Sequence, residues 1–179
     1  FNRLNTNNRG VPLTFSPTTF AGNTSLKSPG ATLAAFGDDG AIRNCTFVGN
    51  TCQGDGMFGA AIFGSPALEL RNCLFVGNTG KNPGAPMQCQ MNAATKGAGN
   101  LQWPKQNLAG NDDAACVSGV TWADPLLGAL GPHGGPVPTV LPAAGSPALT
   151  AGVDCPPTDA RGKARPAQGC TAGAAEGVL

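Results

Sequence analysis

The sequence predicts an all-β protein, a right-handed parallel β-helix whose rungs repeat about every 28 residues. The first observation is a repeated phrase, which reads FAGNT at 20–24, FVGNT at 47–51 and FVGNT at 75–79. The second is an alternation of apolar residues, which is typical of strands. The third is the content of 27 Gly and 16 Pro, spread through the chain, which disfavours a helical repeat.

The repeat defines the elements of one rung. Segment 42–51 reads IRNCTFVGNT and segment 70–79 reads LRNCLFVGNT. Leu68 and Leu70 are two residues apart, and so are Cys73 and Phe75, which predicts two short strands. The alternation shifts by one residue at Asn72, and asparagine tolerates the left-handed backbone of a sharp corner. We therefore predict a corner there and a second corner at Gly77-Asn78.

Extending the alignment outward makes four rungs recognisable, with Leu13 and Phe15 in the first and the 100–103 segment in the fourth. Rungs of a parallel β-helix stack about 4.8 Å apart, the ordinary spacing of strands in a sheet. Equivalent residues then form columns, in which side chains can bond to the neighbouring rung. The predicted inward aromatic stack is Phe20, Phe47, Phe75 and Trp103, and the predicted corner ladder is Asn44, Asn72 and Asn100.

Two parts of different composition are expected. Residues 1–119 form the β-helix rungs, with an irregular, disulfide-closed loop over about 80–119. Residues 120–179 are richer in Pro and Gly and are predicted to be a C-terminal capping segment packed on the solenoid. Because the chain opens in what looks like the middle of a solenoid, we expect it to be part of a longer protein.

Charge and hydropathy disfavour two classes of partner. Charged residues make up 12% of the chain and the formal net charge is +1. Nucleic-acid binding is not predicted, because no basic run or basic and aromatic patch is present. No membrane span is predicted either, because no apolar run approaches the roughly 18–20 residues that are needed.

Seven cysteines predict disulfides and an oxidising compartment, which means secretion, the cell surface or the periplasm. A zinc site is not predicted, because there is no CxxC and only one histidine. We expect the bonds Cys89–Cys116 and Cys155–Cys170. Cys45 and Cys73 stack one rung apart, about 4.8 Å between Cα atoms, so they are either bonded or two buried thiols. Cys52 is the odd cysteine.

Five motifs occur in order near the C-terminus, at Asp124–Gly128, Gly134–Thr139, Gly145–Ala148, Asp159–Pro166 and Gly173–Glu176. In these motifs the chain resembles the C-terminal end of secreted bacterial right-handed β-helix proteins, including extracellular proteins related to polymorphic outer-membrane proteins. The resemblance implies a bacterial cell-surface or secreted protein whose tail motifs are structural. We expect Arg161 or Arg165 to pair with Asp159 or Glu176 and to hold the terminal loop on the last rung.

Three sets of residues are weighed as catalytic or binding candidates. His133 lies in a turn, with no nucleophile or carboxylate at motif spacing, so catalysis is not expected of it. Asp38, Asp39 and Asp55 lie in loops and are weak calcium candidates, but Asp-Asp-Gly and Gly-Asp-Gly are also ordinary turn sequences. The third set is the arginine pair Arg43 and Arg71, which the repeat stacks on one face. These side chains can bind an acidic group or pair with Glu69.

These observations predict a non-catalytic structural or adhesive module, or an accessory subunit of a larger assembly. The expected partner is another protein or a surface polysaccharide, and no cofactor is expected. The alternative is a fragment of a β-helical polysaccharide lyase or glycosidase acting on acidic polysaccharide. A carbohydrate-binding module requires exposed aromatic side chains, and we expect the only two tryptophans, Trp103 and Trp122, to be buried.

Overall fold

A computed structural model describes residues 2–3, 13–26, 32–34, 40–54, 59–64, 67–90, 94 and 96–179. Within these residues the chain is almost entirely β-structure and turns, with one short 3-10 helix at Pro147–Thr150. The strands, numbered along the chain, are β1 (Asn2–Arg3), β2 (Leu13–Phe15), β3 (Thr19–Ala21), β4 (Thr24–Ser25), β5 (Leu33–Ala34), β6 (Gly40–Arg43), β7 (Thr46–Val48), β8 (Thr51–Cys52), β9 (Ile62–Phe63), β10 (Leu68–Arg71), β11 (Leu74–Val76), β12 (Thr79–Gly80), β13 (Cys89–Gln90), β14 (Lys96–Ala98), β15 (Leu101–Trp103) and β16 (Thr121–Trp122).

The strands form four stacked parallel sheets that the chain visits in a fixed order. Sheet A is β1-β5-β9-β13, sheet B is β2-β6-β10-β14, sheet C is β3-β7-β11-β15-β16 and sheet D is β4-β8-β12. The described strand pairs within these sheets are all parallel, and each strand pairs with its equivalent one turn later. This arrangement is that of a parallel β-helix-like solenoid. We number the rungs by their strands in sheets B and C: β2 and β3 form rung 1, β6 and β7 rung 2, β10 and β11 rung 3, and β14 and β15 rung 4.

Inward-facing apolar columns form the core of the solenoid. Phe20, Phe47 and Phe75 are in register in sheet C. The ring centroids of Phe20 and Phe47 are 4.7 Å apart, those of Phe47 and Phe75 are 5.4 Å apart, and both pairs of rings are stacked. Such offset stacks add to the stabilisation that burial of the rings already provides. The predicted inward stack is therefore confirmed for its first three members.

Residues in the left-handed backbone conformation turn the chain between sheets, as the repeat predicts. Asn44 has φ 51° and Asn72 has φ 54°, and these two residues turn the chain from sheet B into sheet C. Their side chains are bonded to each other, since Asn72 Nδ2 donates to Asn44 Oδ1 at 3.2 Å. At the next corner, Asn50 Nδ2 donates to Asn78 Oδ1 at 2.7 Å in the same way. These side-chain bonds add to the backbone bonds that join the rungs at the corners, such as that from the amide of Asn44 to the carbonyl of Arg71 at 2.9 Å.

The fourth rung differs from the sequence alignment by one residue. Phe75 pairs with Gln102, so the inward position is occupied by Gln102, and Trp103 pairs with Val76 on the outer face. Gly99, with φ 68°, takes the corner that was predicted for Asn100. The third and fourth rungs are thus offset by 27 residues, and in a strand a shift of one residue reverses the face of every side chain. The predicted places of Trp103 in the stack and Asn100 in the corner ladder were wrong.

Asn100 still links two rungs from its new position. Its Oδ1 accepts from the amide of Cys73 at 2.8 Å, and its Nδ2 donates to the carbonyl of Leu70 at 2.7 Å. Gln102 likewise uses its side-chain amide inside the solenoid, accepting from the amide of Cys116 at 2.9 Å and donating to the carbonyl of Ala114 at 2.8 Å. The polar residues of rung 4 are accommodated because each buried amide is hydrogen-bonded.

The C-terminal segment lies along the flank of the solenoid rather than on its last rung. One outward column of sheet C, with one residue in each of rungs 1 to 4, contacts this segment; the column is Thr19, Thr46, Leu74 and Leu101. Thr19 Oγ1 is 2.7 Å from Thr139 Oγ1, and Thr46 Oγ1 accepts from the amide of Ala174 at 3.0 Å.

The two residues of this column in rungs 3 and 4 are apolar and are covered by small residues of the C-terminal segment. Leu74 and Leu101 are buried with Ala148 and Ala172 in a second hydrophobic cluster outside the rungs. A Cβ on Gly173 would lie 2.8 Å from Leu74 Cδ1, so only glycine fits at this approach. Ala172, Ala174 and Ala175, near the end of the chain, are nearly fully buried. They allow the backbone of the C-terminal segment to approach the sheet closely.

The corner asparagines anchor the C-terminal segment. Asn72 Nδ2 donates to the carbonyl of Val153 at 2.7 Å, and the amide of Val153 donates to Asn72 Oδ1 at 2.9 Å. The backbone carbonyl of Asn72 accepts from Gly173 at 2.7 Å. One side-chain amide thus pairs with the backbone of the segment as a neighbouring strand would.

Two disulfides are present, and both are pairs expected from the sequence. Cys89 and Cys116 lie 27 residues apart in sequence and close the irregular loop, and Cys155 and Cys170 lie 15 residues apart in the C-terminal segment. Cys45 and Cys73 are buried thiols, so of the two possibilities left open the unbonded one is observed. Cys52 is also buried and takes part in neither disulfide.

The Cys155–Cys170 bond restricts the part of the chain that covers the solenoid flank. Replacing both residues with serine is expected to lower the free energy of unfolding by about 3 kcal/mol. A closed loop of this size reduces the conformational entropy of the unfolded chain, which raises its free energy by that amount. Urea denaturation of the double variant beside the parent protein measures the loss. A change below about 1 kcal/mol would contradict this account.

Candidate functional site

The arginine pair on sheet B is neutralised by acidic residues. Arg43 and Arg71 are in register on β6 and β10, as the repeat predicts. Arg43 Nη2 lies 2.7 Å from Glu69 Oε2, and Arg71 Nε lies 3.1 Å from Glu69 Oε1. Arg71 Nη1 also pairs with Asp154 Oδ2 at 2.7 Å. The hydrogen bond from Arg43 holds the pKa of Glu69 below its ordinary value, with the charges of both arginines acting in the same direction.

This cluster links the C-terminal segment to the solenoid and is partly exposed. Two guanidinium groups face two carboxylates, so the cluster carries no net charge. A lyase groove needs a cation that remains available to the acidic substrate, whereas both of these side chains already have partners. The weak calcium candidates Asp38, Asp39 and Asp55 lie outside the described residues. Among the described residues, no group of three or more possible metal-ligating side chains is found.

His133 lies in the C-terminal segment with an unusual backbone conformation. Its φ is 40°, and its Nε2 lies 3.1 Å from the carbonyl oxygen of Ala129. The ring therefore points back toward its own turn, where a carbonyl can only accept the hydrogen bond. No described hydroxyl, thiol or carboxylate is bonded to the ring.

The buried thiols of Cys45 and Cys73 are unsuited to nucleophilic chemistry. Burial raises the pKa of Cys45 to about 12, and it raises the pKa of Cys73 as well. The Cys45 thiol donates to the carbonyl of Arg43 at 3.3 Å, and the Cys73 thiol is 3.3 Å from the carbonyl of Ile42. A thiolate is the reactive form, so these groups are inert in the folded state.

We expect neither Cys45 nor Cys73 to react with a water-soluble thiol reagent at pH 8 in the native protein. Both are expected to react once urea unfolds the chain, because the burial that raises their pKa is then lost. Mass spectrometry of labelled peptides checks each site separately. Rapid labelling under native conditions would show that a rung opens locally, rung 2 for Cys45 or rung 3 for Cys73.

A buried charged cluster organises the end of the C-terminal segment, and it includes the residues that the sequence singled out. The Arg161 and Asp159 side chains are 6% and 0% exposed and pair at 2.7 Å. The Arg165 and Glu176 side chains are 0% and 11% exposed and pair at 2.8 Å. We call these four residues the tail cluster. Its position on the flank, rather than on the last rung, corrects the predicted location of the loop they hold.

Hydrogen bonds from the backbone complete the tail cluster. Burial by itself would raise the pKa of Asp159, but donors from Glu176, Arg161 and Lys163 outweigh burial and place this pKa below its ordinary value. Glu176 accepts from the amide and the hydroxyl of Thr171, at 3.0 and 2.9 Å. Arg165 donates to the carbonyls of Thr171 and Gly173, at 2.7 and 2.8 Å. Arg165 Nε is buried with no hydrogen-bond partner among the described residues. A buried ion pair is tolerated when its other polar atoms are bonded in this way.

The expectation that both tryptophans are buried was wrong. Trp103 is 37% exposed at the end of an outward column of sheet C that also contains Ala21, Val48 and Val76. Trp122 pairs with Gln102 and is partly buried at the end of the inward column. An exposed indole at the end of an apolar strip is a surface on which a sugar ring can stack.

Sequence reasoning also missed a cationic cavity that the C-terminal turns enclose. It is lined by His133, Gly134, Arg161, Gly162 and Lys163. The signal was the sequence DARGKAR at 159–165, which holds one acidic and three basic residues.

The fold and these sites define the class of protein: a parallel β-helix-like solenoid whose C-terminal segment braces one flank. A comparison with protein-family models, curated proteins and solved structures found no match. No helix among the described residues is long and apolar enough to cross a membrane.

Proposed function

We propose that this chain is a non-catalytic structural and adhesive module of an extracellular or cell-surface protein. The observation that carries the proposal is the contact of the C-terminal segment with all four rungs of one outward column. A solenoid whose rungs contact only their neighbours can open rung by rung. A segment bonded across the rungs opposes that opening, which suits a rigid spacer or a mounting for another subunit.

The distribution of charge supports a structural role. The ion pairs of sheet B and of the tail cluster hold the C-terminal segment and the rungs in place. The two disulfides favour an oxidising compartment. The resemblance of the tail motifs to secreted bacterial β-helix proteins is in keeping with an extracellular location.

An activity assay separates this proposal from its alternative, a lyase or glycosidase acting on acidic polysaccharide. The chain is incubated with polygalacturonate, alginate and heparin, with and without calcium, and both new reducing ends and unsaturated products are measured. We expect no turnover above buffer. Turnover that is lost on Arg43→Ala or Arg71→Ala, with the fold retained, would overturn the proposal in favour of the enzyme.

A mechanical measurement tests the bracing directly. We expect single molecules pulled from their two ends to unfold in one event, because the C-terminal segment couples the rungs. The Cys155→Ser/Cys170→Ser variant is expected to unfold at lower force. A stepwise opening of rungs in the parent protein would show that the segment does not brace them.

The exposed position of Trp103 favours a second candidate, a carbohydrate-binding module. The strip from Ala21 to Trp103 is uncharged, so its partner would be the apolar face of a neutral glycan. Retention on insoluble cellulose, chitin and xylan is measured for the parent and for Trp103→Ala. Leu108→Ala is the matched control, since Leu108 is a large exposed apolar residue outside the strip. Equal retention of all three proteins would exclude a role for Trp103.

A further inference from the structure

A cavity of about 290 Å³ opens on the C-terminal segment, between the turn at 132–135 and the turn at 159–163. Its lining residues are His133, Gly134, Arg161, Gly162 and Lys163. Sites for small molecules start at about this size, which accommodates one sugar ring or a similar group rather than a long chain. The cavity is open to solvent on one side, so a residue at the end or along the edge of a glycan can enter.

The walls of the cavity are held rigidly by Arg161. Its Nη1 donates to the carbonyl of His133 at 3.1 Å, and its Nε and Nη2 donate to Asp159 Oδ2 at 2.9 and 2.7 Å. A Cβ on Gly135 would lie 2.5 Å from Arg161 Cγ, so the glycine turn packs directly on the arginine stem. A site assembled before the ligand arrives loses less conformational entropy on binding.

The cavity carries an excess of positive charge. The tail cluster contains two acidic and two basic side chains, which neutralise each other in pairs. Lys163 is a third basic residue in the same turn, so the sum for residues 159–176 is three bases less two acids, or +1. Lys163 lines the cavity and is exposed, and among the described residues no carboxylate pairs with its ammonium group. An anionic group can therefore gain a partner there without displacing one.

The backbone conformation of His133 shapes one of the turns that line the cavity. A non-glycine residue at φ 40° is strained, whereas glycine adopts this conformation at no steric cost. The next residue, Gly134, is itself left-handed with φ 78°. His133 lines the cavity together with Lys163, while its ring lies toward the carbonyl of Ala129 and over Gly131.

We propose that this cavity binds the carboxylate-bearing ring of an acidic sugar, with Lys163 pairing with the carboxylate. The exposed backbone of Gly134 and Gly162, which line the cavity, would contact the rest of the sugar. The inference rests on the adhesive part of the proposed function, because it names a ligand class for the module. It requires no catalytic residue and no contribution from sheet B.

Binding is tested with the full chain by titrating glucuronic acid into ¹⁵N-labelled protein and following the amide signals of Gly134, Gly162 and Lys163. We expect these signals to shift with glucuronate and not with glucose. Acetate at equal ionic strength is the control for a bare carboxylate. Equal shifts and equal affinity for acetate and glucuronate would overturn the sugar site and leave a simple anion site.

Two variants separate the site from a general effect of charge. Lys163→Gln is expected to weaken glucuronate binding at least tenfold and to leave the thermal midpoint unchanged, because the side chain is exposed and its backbone amide is kept. Lys105→Gln is the matched control, since it also removes one exposed positive charge, one that pairs with Asp112 at 3.1 Å. Equal weakening by both variants, or no weakening by Lys163→Gln, would overturn the proposal.

An oligouronate then distinguishes a free sugar from a polysaccharide as the source of the ligand. Tighter binding of the oligomer, still dependent on Lys163, supports the glycan. A failure of all uronates to bind, with bracing intact in the pulling experiment, would overturn this inference alone. A protein that is not braced but binds uronate would overturn the structural part of the proposed function instead.

Discussion

Glu176→Gln is expected to lower the free energy of unfolding by about 3–5 kcal/mol, because it leaves the charge of Arg165 buried without a counterion. The Arg165 side chain is fully buried, and burial already lowers its pKa against the opposing charge of Glu176. The amide also loses part of the acceptor capacity that now serves Thr171. Chemical denaturation at neutral pH measures the effect.

Glu69→Gln is the matched control for this prediction. Glu69 is likewise a glutamate paired with arginine, but its partner Arg43 has a side chain that is 48% exposed. Pairs of this kind contribute at most about 1 kcal/mol. If the two variants lose the same stability, the tail cluster is not the buried anchor that its geometry indicates.

Phe47→Ala is expected to cost about 3–5 kcal/mol as well, since it removes a fully buried ring and leaves a cavity in a close-packed solenoid. Phe47 lies between Phe20 and Phe75 in the aromatic stack, so its loss also removes both stacking contacts. The loss of stability is measured by urea unfolding followed by circular dichroism.

The adjacent residue provides the control for the core substitution. Val48 follows Phe47 on the same strand but faces outward and is only partly buried. Val48→Ala is expected to cost less than about 1.5 kcal/mol, because fewer methyl groups leave an apolar environment. A larger loss for Val48→Ala than for Phe47→Ala would mean that rung 2 has the opposite face inward.

The repeat predicted the fold well where its length is regular. Phe20, Phe47 and Phe75 occupy equivalent inward positions although they are 27 and then 28 residues apart in sequence. The corners absorb the difference of one residue, so the strands keep the same face inward. The corner conformations of Asn44 and Asn72 were predictable for a local reason, since asparagine is among the few residues that adopt positive φ.

Rung 4 shows where this reasoning stops. This rung is one residue shorter than the alignment assumed. The motif there is too degraded to show whether a corner or a strand lacks that residue. Hydrogen bonding decided the outcome: Gly99 turns the corner, Asn100 and Gln102 find partners inside, and Trp103 is directed outward. The candidate sugar-stacking surface follows from that shift.

The sequence by itself predicted the architecture of the first three rungs, because periodicity and turn chemistry are local properties, and it supplied the two disulfide pairs as candidates. The tertiary structure decided where the C-terminal segment lies, since its contacts with Thr19, Thr46 and Asn72 join residues more than 80 positions apart. It also decided which charges are neutralised. Arg161 and Arg165 pair with buried carboxylates, whereas Lys163 lines a cavity and is exposed. Only the folded arrangement gives these three neighbouring basic residues different environments.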